Sequence, residues 1–178
     1  MDVRDEMQFR AELSVRYHRR RASFLDRTSQ LMTLTSLIGG AAAFASLIGD
    51  PNTIFAKWAT LIITALTLIQ SVFRIDAAAA EHKMWLREWS KLLLNIRQNE
   101  HPTEAQIGEW MHAQTELDSS CVSEMRALEA DCWNRTTEQM GYNDAPARVS
   151  WYHKLFGQVW SFENGDFSPK TSKQHLLH

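Results

Sequence analysis

Hydrophobic and polar positions divide this chain into two textures. From Thr28 to Gly49 there is no charged residue over 22 positions, and from Trp58 to Phe73 there is none over 16. Between Leu37 and Phe73 the only charges are Asp50 and Lys57, both near a Pro-Asn turn. On either side of this block, apolar residues recur at helical spacing and alternate with charges. Gly and Pro are scarce before Pro51 and β-branched residues do not alternate, so the pattern predicts helix nearly throughout.

The first helix is predicted from about Val3 to Gly49. Its opening part is amphipathic: Phe9, Leu13, Arg16 with Tyr17, and Arg20 keep the i, i+4 rhythm, and Phe24 and Leu25 continue it. Gly49-Asp50-Pro51-Asn52 predicts a break, because Pro and the residue before it resist helix continuation. A second helix starts near Thr53 and meets no Pro or Gly until Pro102. Continuous to Arg97, it would extend about 65 Å, of which about 30 Å would cross hydrocarbon. Beyond the apolar run, Trp85, Trp89, Leu92 and Ile96 fall at i, i+4, i+7 and i+11, a stripe that needs a partner helix. With Trp110 they form the candidate partner-helix face. After the His101-Pro102 turn, Thr103 and Gln106 read as a capping box opening a third helix to about Met140, with Gly141 as its stop. "APARVSWYHKLFGQVWSF" predicts a short amphipathic helix, and the polar tail from Glu163 is predicted to be disordered.

The uncharged block poses a choice between a buried core hairpin and a membrane hairpin. A core helix in a small bundle needs a polar outer face. Thr28–Gly49 offers only Thr, Ser, Gly and Gln for one, and 178 residues leave few other apolar helices to enclose two such segments. The insertion arithmetic is close. Seven Leu, Ile and Phe residues between Leu31 and Gly49 contribute roughly −3 kcal/mol. Four Ser/Thr and three Gly oppose them, so the hairpin inserts more plausibly as a unit than either span alone. Charge placement agrees with insertion. Seven arginines precede the first span, and Arg74, Lys83, Arg87, Lys91 and Arg97 follow the second within 24 residues. The positive-inside rule then places both termini in the cytoplasm, with Phe55 and Trp58 at the outer interface.

Composition adds little beyond exclusions. The length suggests one domain, or one with an appendage. A net charge of −2 offers no bulk electrostatic argument for nucleic acid. The two cysteines, Cys121 and Cys132, would sit roughly 16 Å apart in one helix, too far for a disulfide within it, and free thiols suit a reducing compartment. Arg19-Arg20-Arg21 ahead of an apolar run resembles a leader, but Ser23 stands where a twin-arginine signal wants an apolar residue, and the leading region contains five acids and is itself helix-patterned. The expected topology is therefore an uncleaved, multi-pass membrane protein.

Inside the spans, Ser29, Thr33, Ser36 and Gly40 share one face of the first, and Thr60, Thr64, Thr67 and Ser71 share one face of the second. Two roles remain open for them. Small residues and hydroxyls make packing seams, bonding across or back to the i−4 carbonyl. In an oligomer the same faces would line a water-filled path. Neither span holds an Asp, Glu, Lys or Arg for a proton relay or charge filter. Arg19, Arg20, Arg21 and Arg74 are candidate headgroup contacts, with a nucleotide as the other anion they would suit. Candidates for catalysis are thin. Glu109-x-x-His112 has the spacing of a carboxylate-bridged metal motif without the second copy that chemistry needs, and there is no phosphate loop, zinc spacing or nucleophile elbow. No enzyme activity, cofactor or metal is expected.

An amphipathic "RYHRRRASFLDR" leads into "LMTLTSLIGGAAAFASLIGD" and "WATLIITALTLIQSVFRID", and the Ala-rich exit "AAAAEHKMWLREWSKLL" begins a long helix. This arrangement, over residues 10–162, resembles the SLATT domain family, two-transmembrane effectors associated with SMODS-type nucleotide synthetases and SLOG domains. It rests on architecture and texture rather than on an invariant motif, and no catalytic residue is carried over. The resemblance implies a role in bacterial conflict with phage: a pore-forming effector activated by a nucleotide synthetase, a sensor protein or a second messenger.

The resulting expectation is an all-α protein with a transmembrane helical hairpin whose long helices extend into a cytoplasmic helical bundle. Residues 1–27 form an amphipathic N-terminal helix, and 28–73 the hairpin, with spans at about 28–49 and 54–73. Residues 74–162 form a cytoplasmic helical region and 163–178 the tail. Membrane lipid and further copies of the chain are the expected partners, and nucleic acid is not. The alternative is a membrane-anchored scaffold recruiting a soluble partner through its tryptophan faces, without pore activity; a soluble helical bundle is a third option.

Overall fold

The structure, a computed structural model, describes residues 2–49, 54–120 and 125–142, together with 147, 149, 150, 152 and 153. The predicted Pro51-Asn52 turn, the Phe55 side chain, Cys121, most of the predicted C-terminal amphipathic helix and the whole tail lie outside the described residues. Among the described residues there is helix and no strand. The elements are α1 (Val3–Gly49), α2 (Ile54–Phe73), α3 (Ile75–Gln98), α4 (Glu104–Ser120) and α5 (Arg126–Met140).

The bounds of α1 agree with the expected first helix. Its first turn carries Asp5 and Glu6, which favour the positive end of the helix dipole. Two other expectations are corrected. The second helix is not continuous to Arg97: it is interrupted at Arg74, whose φ is +45°, between α2 and α3. Residues with a Cβ rarely enter this left-handed region, and an arginine there marks a real change of path at the end of the apolar run. The third helix is also split. Ser119 and Ser120 donate to the Glu116 carbonyl at 2.9 and 2.8 Å in the last described turn of α4. Met125 is extended, and its N–H donates to the Tyr17 hydroxyl at 3.0 Å before α5 begins.

The predicted caps form. Thr103 N–H donates to Gln106 Oε1 at 2.9 Å, and Gln106 N–H returns to Thr103 Oγ1 at 3.3 Å. Gly141, at φ +73°, ends α5, with its N–H on the Glu138 carbonyl and that of Tyr142 on the Thr137 carbonyl.

The chain forms two compact units: residues 1–21 with 83–178, and residues 22–82. The first is a helical unit built around the N-terminal part of α1. Met7, Ala11 and Val15 on one stripe of α1 pack with Trp89, Leu92, Leu93 and Ile96 of α3 and Trp110 of α4. Phe9, Leu13 and Tyr17, on a second stripe, pack with Leu128 and Cys132 of α5. Phe9 meets Trp133 edge-on at 4.7 Å, a favoured aromatic geometry. Splitting the predicted third helix lets Trp110 enter the first cluster and Leu128 the second.

The second unit is a helical hairpin. Ser29 of α1 bonds Gln70 of α2 and Asp76 of α3, and Gly39 lies against Ile63. These contacts run in opposite order along the two helices, so α1 and α2 are antiparallel. At its charged end Leu25, Ile75 and Ala79 form a small buried cluster. The stretch Lys57–Gln98 is long and apolar enough to cross a membrane, and only 6% of its most apolar part is buried.

Ile96 is fully buried in the first unit, so Ile96→Ala should destabilise that unit by about 2–5 kcal/mol. The exposed Met111→Ala should change it by less than about 0.5 kcal/mol. Denaturant unfolding followed by tryptophan fluorescence checks both.

Candidate functional site

Burial recurs along the hairpin at Ser29, Met32, Ser36, Gly39, Gly40 and Ala43 of α1, and at Ala59, Ile63, Leu66 and Gln70 of α2. Alternating steps of three and four residues place each set on one stripe, the seam of a packed helix pair. On α1 the stripe is mostly small residues, which lets the larger side chains of α2 approach its backbone. Gly39 is what permits the closest approach: a Cβ there would stand 3.1 Å from Cγ1 and Cδ1 of Ile63, whereas one at Gly40 would meet nothing within 4 Å. At the charged end Ser29 donates to Asp76 and accepts from Gln70 Nε2 at 3.2 Å.

The predicted polar faces divide. Ser29 and Ser36 belong to the seam; Thr33 is exposed. On α2 the whole hydroxyl face, Thr60, Thr64, Thr67 and Ser71, is exposed and turned away from the seam. Thr64 donates back to the Thr60 carbonyl at 2.8 Å and Thr67 to the Ile63 carbonyl at 2.9 Å. Hydroxyls satisfied on their own helix need no water, which suits an apolar surround. The Ser36 hydroxyl is buried and has no hydrogen-bond partner among the described residues.

Around this seam the hairpin is apolar outward. Of the 19 large hydrophobic residues exposed among the described residues, 14 lie between Leu31 and Phe73, and Leu37, Phe44, Ile48 and Val72 are each at least 66% exposed. Moving one such side chain out of water is worth about 1.5–3 kcal/mol. The hairpin therefore presents an apolar shell much larger than a monomeric soluble protein carries.

The tryptophan stripe has the opposite fate. Trp89, Leu92, Ile96 and Trp110 are buried together, with Trp85 packed at their edge, and the helix that covers them is α1 of the same chain. In the folded unit Trp89, Leu92, Ile96 and Trp110 are closed off, and Trp85 is half-buried.

The candidate headgroup arginines also separate. Arg74 occupies the interruption in the hairpin unit. Arg19 is exposed, while Arg20 pairs with Asp131, which also accepts from Arg135 Nε at 3.2 Å. Burial pulls the Arg20 guanidinium down, but hydrogen bonds to Asp131 and Cys132 outweigh it and the net direction is up. Arg21 is lowered by burial, partly offset by Tyr17.

Sequence spacing missed a basic groove on the first unit, about 480 Å3 in volume. Among the described residues, Arg16, Arg19 and Arg20 of α1, Arg97 of α3 and Arg135 of α5 line it, with Glu12 as the one lining carboxylate. Arg16, Arg19 and Arg20 stand at i, i+3 and i+4, a one-face signal that was readable; the contributions of α3 and α5 come only from tertiary packing. A second cavity of about 300 Å3 lies between α1 and α5, where Phe9, Tyr17, Trp133 and Tyr142 meet Glu6 and Glu129.

Glu109 and His112 are both exposed, and no group of three or more His, Cys, Asp or Glu able to hold a metal occurs among the described residues. Cys132 is a buried free thiol, and burial pushes its pKa up against the opposing pull of Arg20. Compared with protein-family models, with curated proteins and with solved structures, the chain gives no match.

Gly39→Leu should force the helices apart or displace Ile63, at a cost of about 1–3 kcal/mol. Gly40→Ala should be neutral or slightly stabilising, since its Cβ gains helix propensity without a clash. Thermal unfolding of the two variants in mild detergent separates them. In a Cys121→Ser background, Cys132 should react with iodoacetamide at pH 8 at least about tenfold more slowly than a free thiol, because a raised pKa depletes the thiolate. Denaturant should restore the rate, which mass spectrometry follows.

Proposed function

We propose that this chain is a two-span inner-membrane protein with both termini in the cytoplasm, and that it acts as an effector of bacterial conflict. On activation by a partner protein or second messenger, several hairpins assemble and permeabilise the membrane. The observation that carries the reading is the outward apolar shell of the hairpin, within which Thr35, Thr64 and Thr67 bond back onto their own helix. Lipid accommodates such a surface and water does not. The positive charges before Thr28 and after Phe73 supply the topology.

The exposed Thr60–Thr64–Thr67–Ser71 face supports the assembly step. It is not used by the hairpin's own seam, so it is available to line a path between copies. Two helices cannot enclose a pore, and oligomers are therefore part of the proposal. The resemblance to SLATT domains supplies the conflict setting and the kind of trigger. The first unit, with no catalytic constellation assigned to it, serves as the part that receives the signal.

Alkaline carbonate extraction should leave the full chain in the membrane pellet; release into the supernatant would sink the reading. When the chain is expressed and triggered, cells should depolarise by a potential-sensitive dye. Thr64→Leu with Thr67→Leu should return the dye signal to the untriggered baseline while leaving membrane insertion intact. Full depolarisation by this double variant would remove the hydroxyl face from the mechanism.

A further inference from the structure

The basic groove of the first unit has more guanidinium groups than its acids can hold. Arg97 pairs with Glu12, and Arg20 and Arg135 share Asp131. Arg16 hydrogen-bonds a neutral partner, Gln139, and Arg19 is exposed at the same wall. Among the described residues, five arginines thus converge on a space of about 480 Å3 with two carboxylates to neutralise them, one lining the space and one behind it. Like charges so placed repel, more strongly in a recess than on an open surface, and an anion in the groove removes that repulsion.

A second observation points the same way. The Nε–H of Arg16 is buried and has no hydrogen-bond partner among the described residues. A buried donor of this kind is costly unless something accepts from it. Guanidinium Nε–H and Nη–H groups form a planar fork matched to two oxygens of one phosphate, which lysines would not supply. Val15 and Leu93 add an apolar floor beside the arginines, and the volume lies in the range of small-ligand sites.

We infer that this groove binds a phosphate-bearing anion, with Arg16 and Arg19 as its principal ligands and Arg20, Arg97 and Arg135 as a surrounding positive field held in place by Glu12 and Asp131. The ligand is either a soluble phosphorylated compound or a phospholipid headgroup; the chemistry recognised is the same. The inference stands on the geometry of the first unit and does not rest on membrane insertion or pore formation.

The test titrates the purified full chain in a neutral detergent with inorganic tripolyphosphate and, separately, with short-chain phosphatidylglycerol, by calorimetry. Short-chain phosphatidylcholine is the reference for headgroup charge. Saturable binding of either anionic probe is expected, weakening as salt rises. Arg16→Gln with Arg19→Gln should weaken it about tenfold or more, and Arg16→Lys, which keeps the charge but loses the fork, by less. Arg10→Gln, whose side chain pairs with Asp118 away from the groove, should leave affinity unchanged. Tripolyphosphate binding marks a soluble ligand and phosphatidylglycerol binding alone marks a headgroup; both support the site. Absence of saturable binding of either probe overturns it, as does equal loss in the Arg10 variant. Should the double variant fail to fold by circular dichroism, Arg19→Gln alone, at an exposed position, carries the same expectation with a smaller loss. Membrane extraction and dye assays are untouched by these outcomes, so the two readings fail separately.

Discussion

An apolar side chain that leaves water needs a cover, and the two units of this chain stand differently toward that requirement. In the first, two stripes of α1 are covered from separate directions, Met7–Ala11–Val15 by α3 and α4 and Phe9–Leu13–Tyr17 by α5. In the second, the buried apolar positions are few and several are alanines, while most leucines, isoleucines and phenylalanines stand outside. The same residue types thus build a closed core in one unit and an outer shell in the other. The hairpin seam has little apolar driving force of its own. Small residues on α1 make room for Ile63 and Leu66, and close approach at Gly39 with the Ser29–Asp76 and Ser29–Gln70 bonds holds the pair together.

Covering α1 on two sides has an electrostatic consequence. A helix with "RYHRRR" in its sequence must put some of those charges where other helices pack. Glu12 is buried and answered by Arg97; Asp131 is buried and answered by Arg20 and Arg135. A buried carboxylate without such partners costs several kcal/mol, so these pairs follow from the packing rather than adding stability to it. Arg16 and Arg19 are left over, which is why the groove between them is basic.

Much of the fold is legible in the residues alone. The extent of α1, the capping box at Thr103 and the glycine stop at Gly141 are local features, set by neighbours in the sequence. The demand of Trp85, Trp89, Leu92 and Ile96 for a partner was also readable; that the partner is α1 was not, because the contact joins residues far apart in the chain. The two helix interruptions escaped for the same reason. Nothing near Arg74 forbids helix, and the extended Met125 is bonded to Tyr17, far away in the chain. Within the candidate site, hydroxyl periodicity picked out one face on each span, yet could not say that the face of α2 points away from α1.

That last point bears on assembly. A helix in a two-helix unit has one stripe for its neighbour and a wide remainder. On α2 the neighbour takes Ala59, Ile63, Leu66 and Gln70, and the remainder mixes Leu61, Ile62 and Leu68 with the four hydroxyl positions. Hydroxyls already bonded to their own carbonyls sit in lipid at little cost and also keep an acceptor lone pair for a second helix or for water. In the assembly proposed above, such a face would serve two arrangements, dispersed in lipid or gathered against its copies. A hairpin held in the balance between them is one that a modest signal can move.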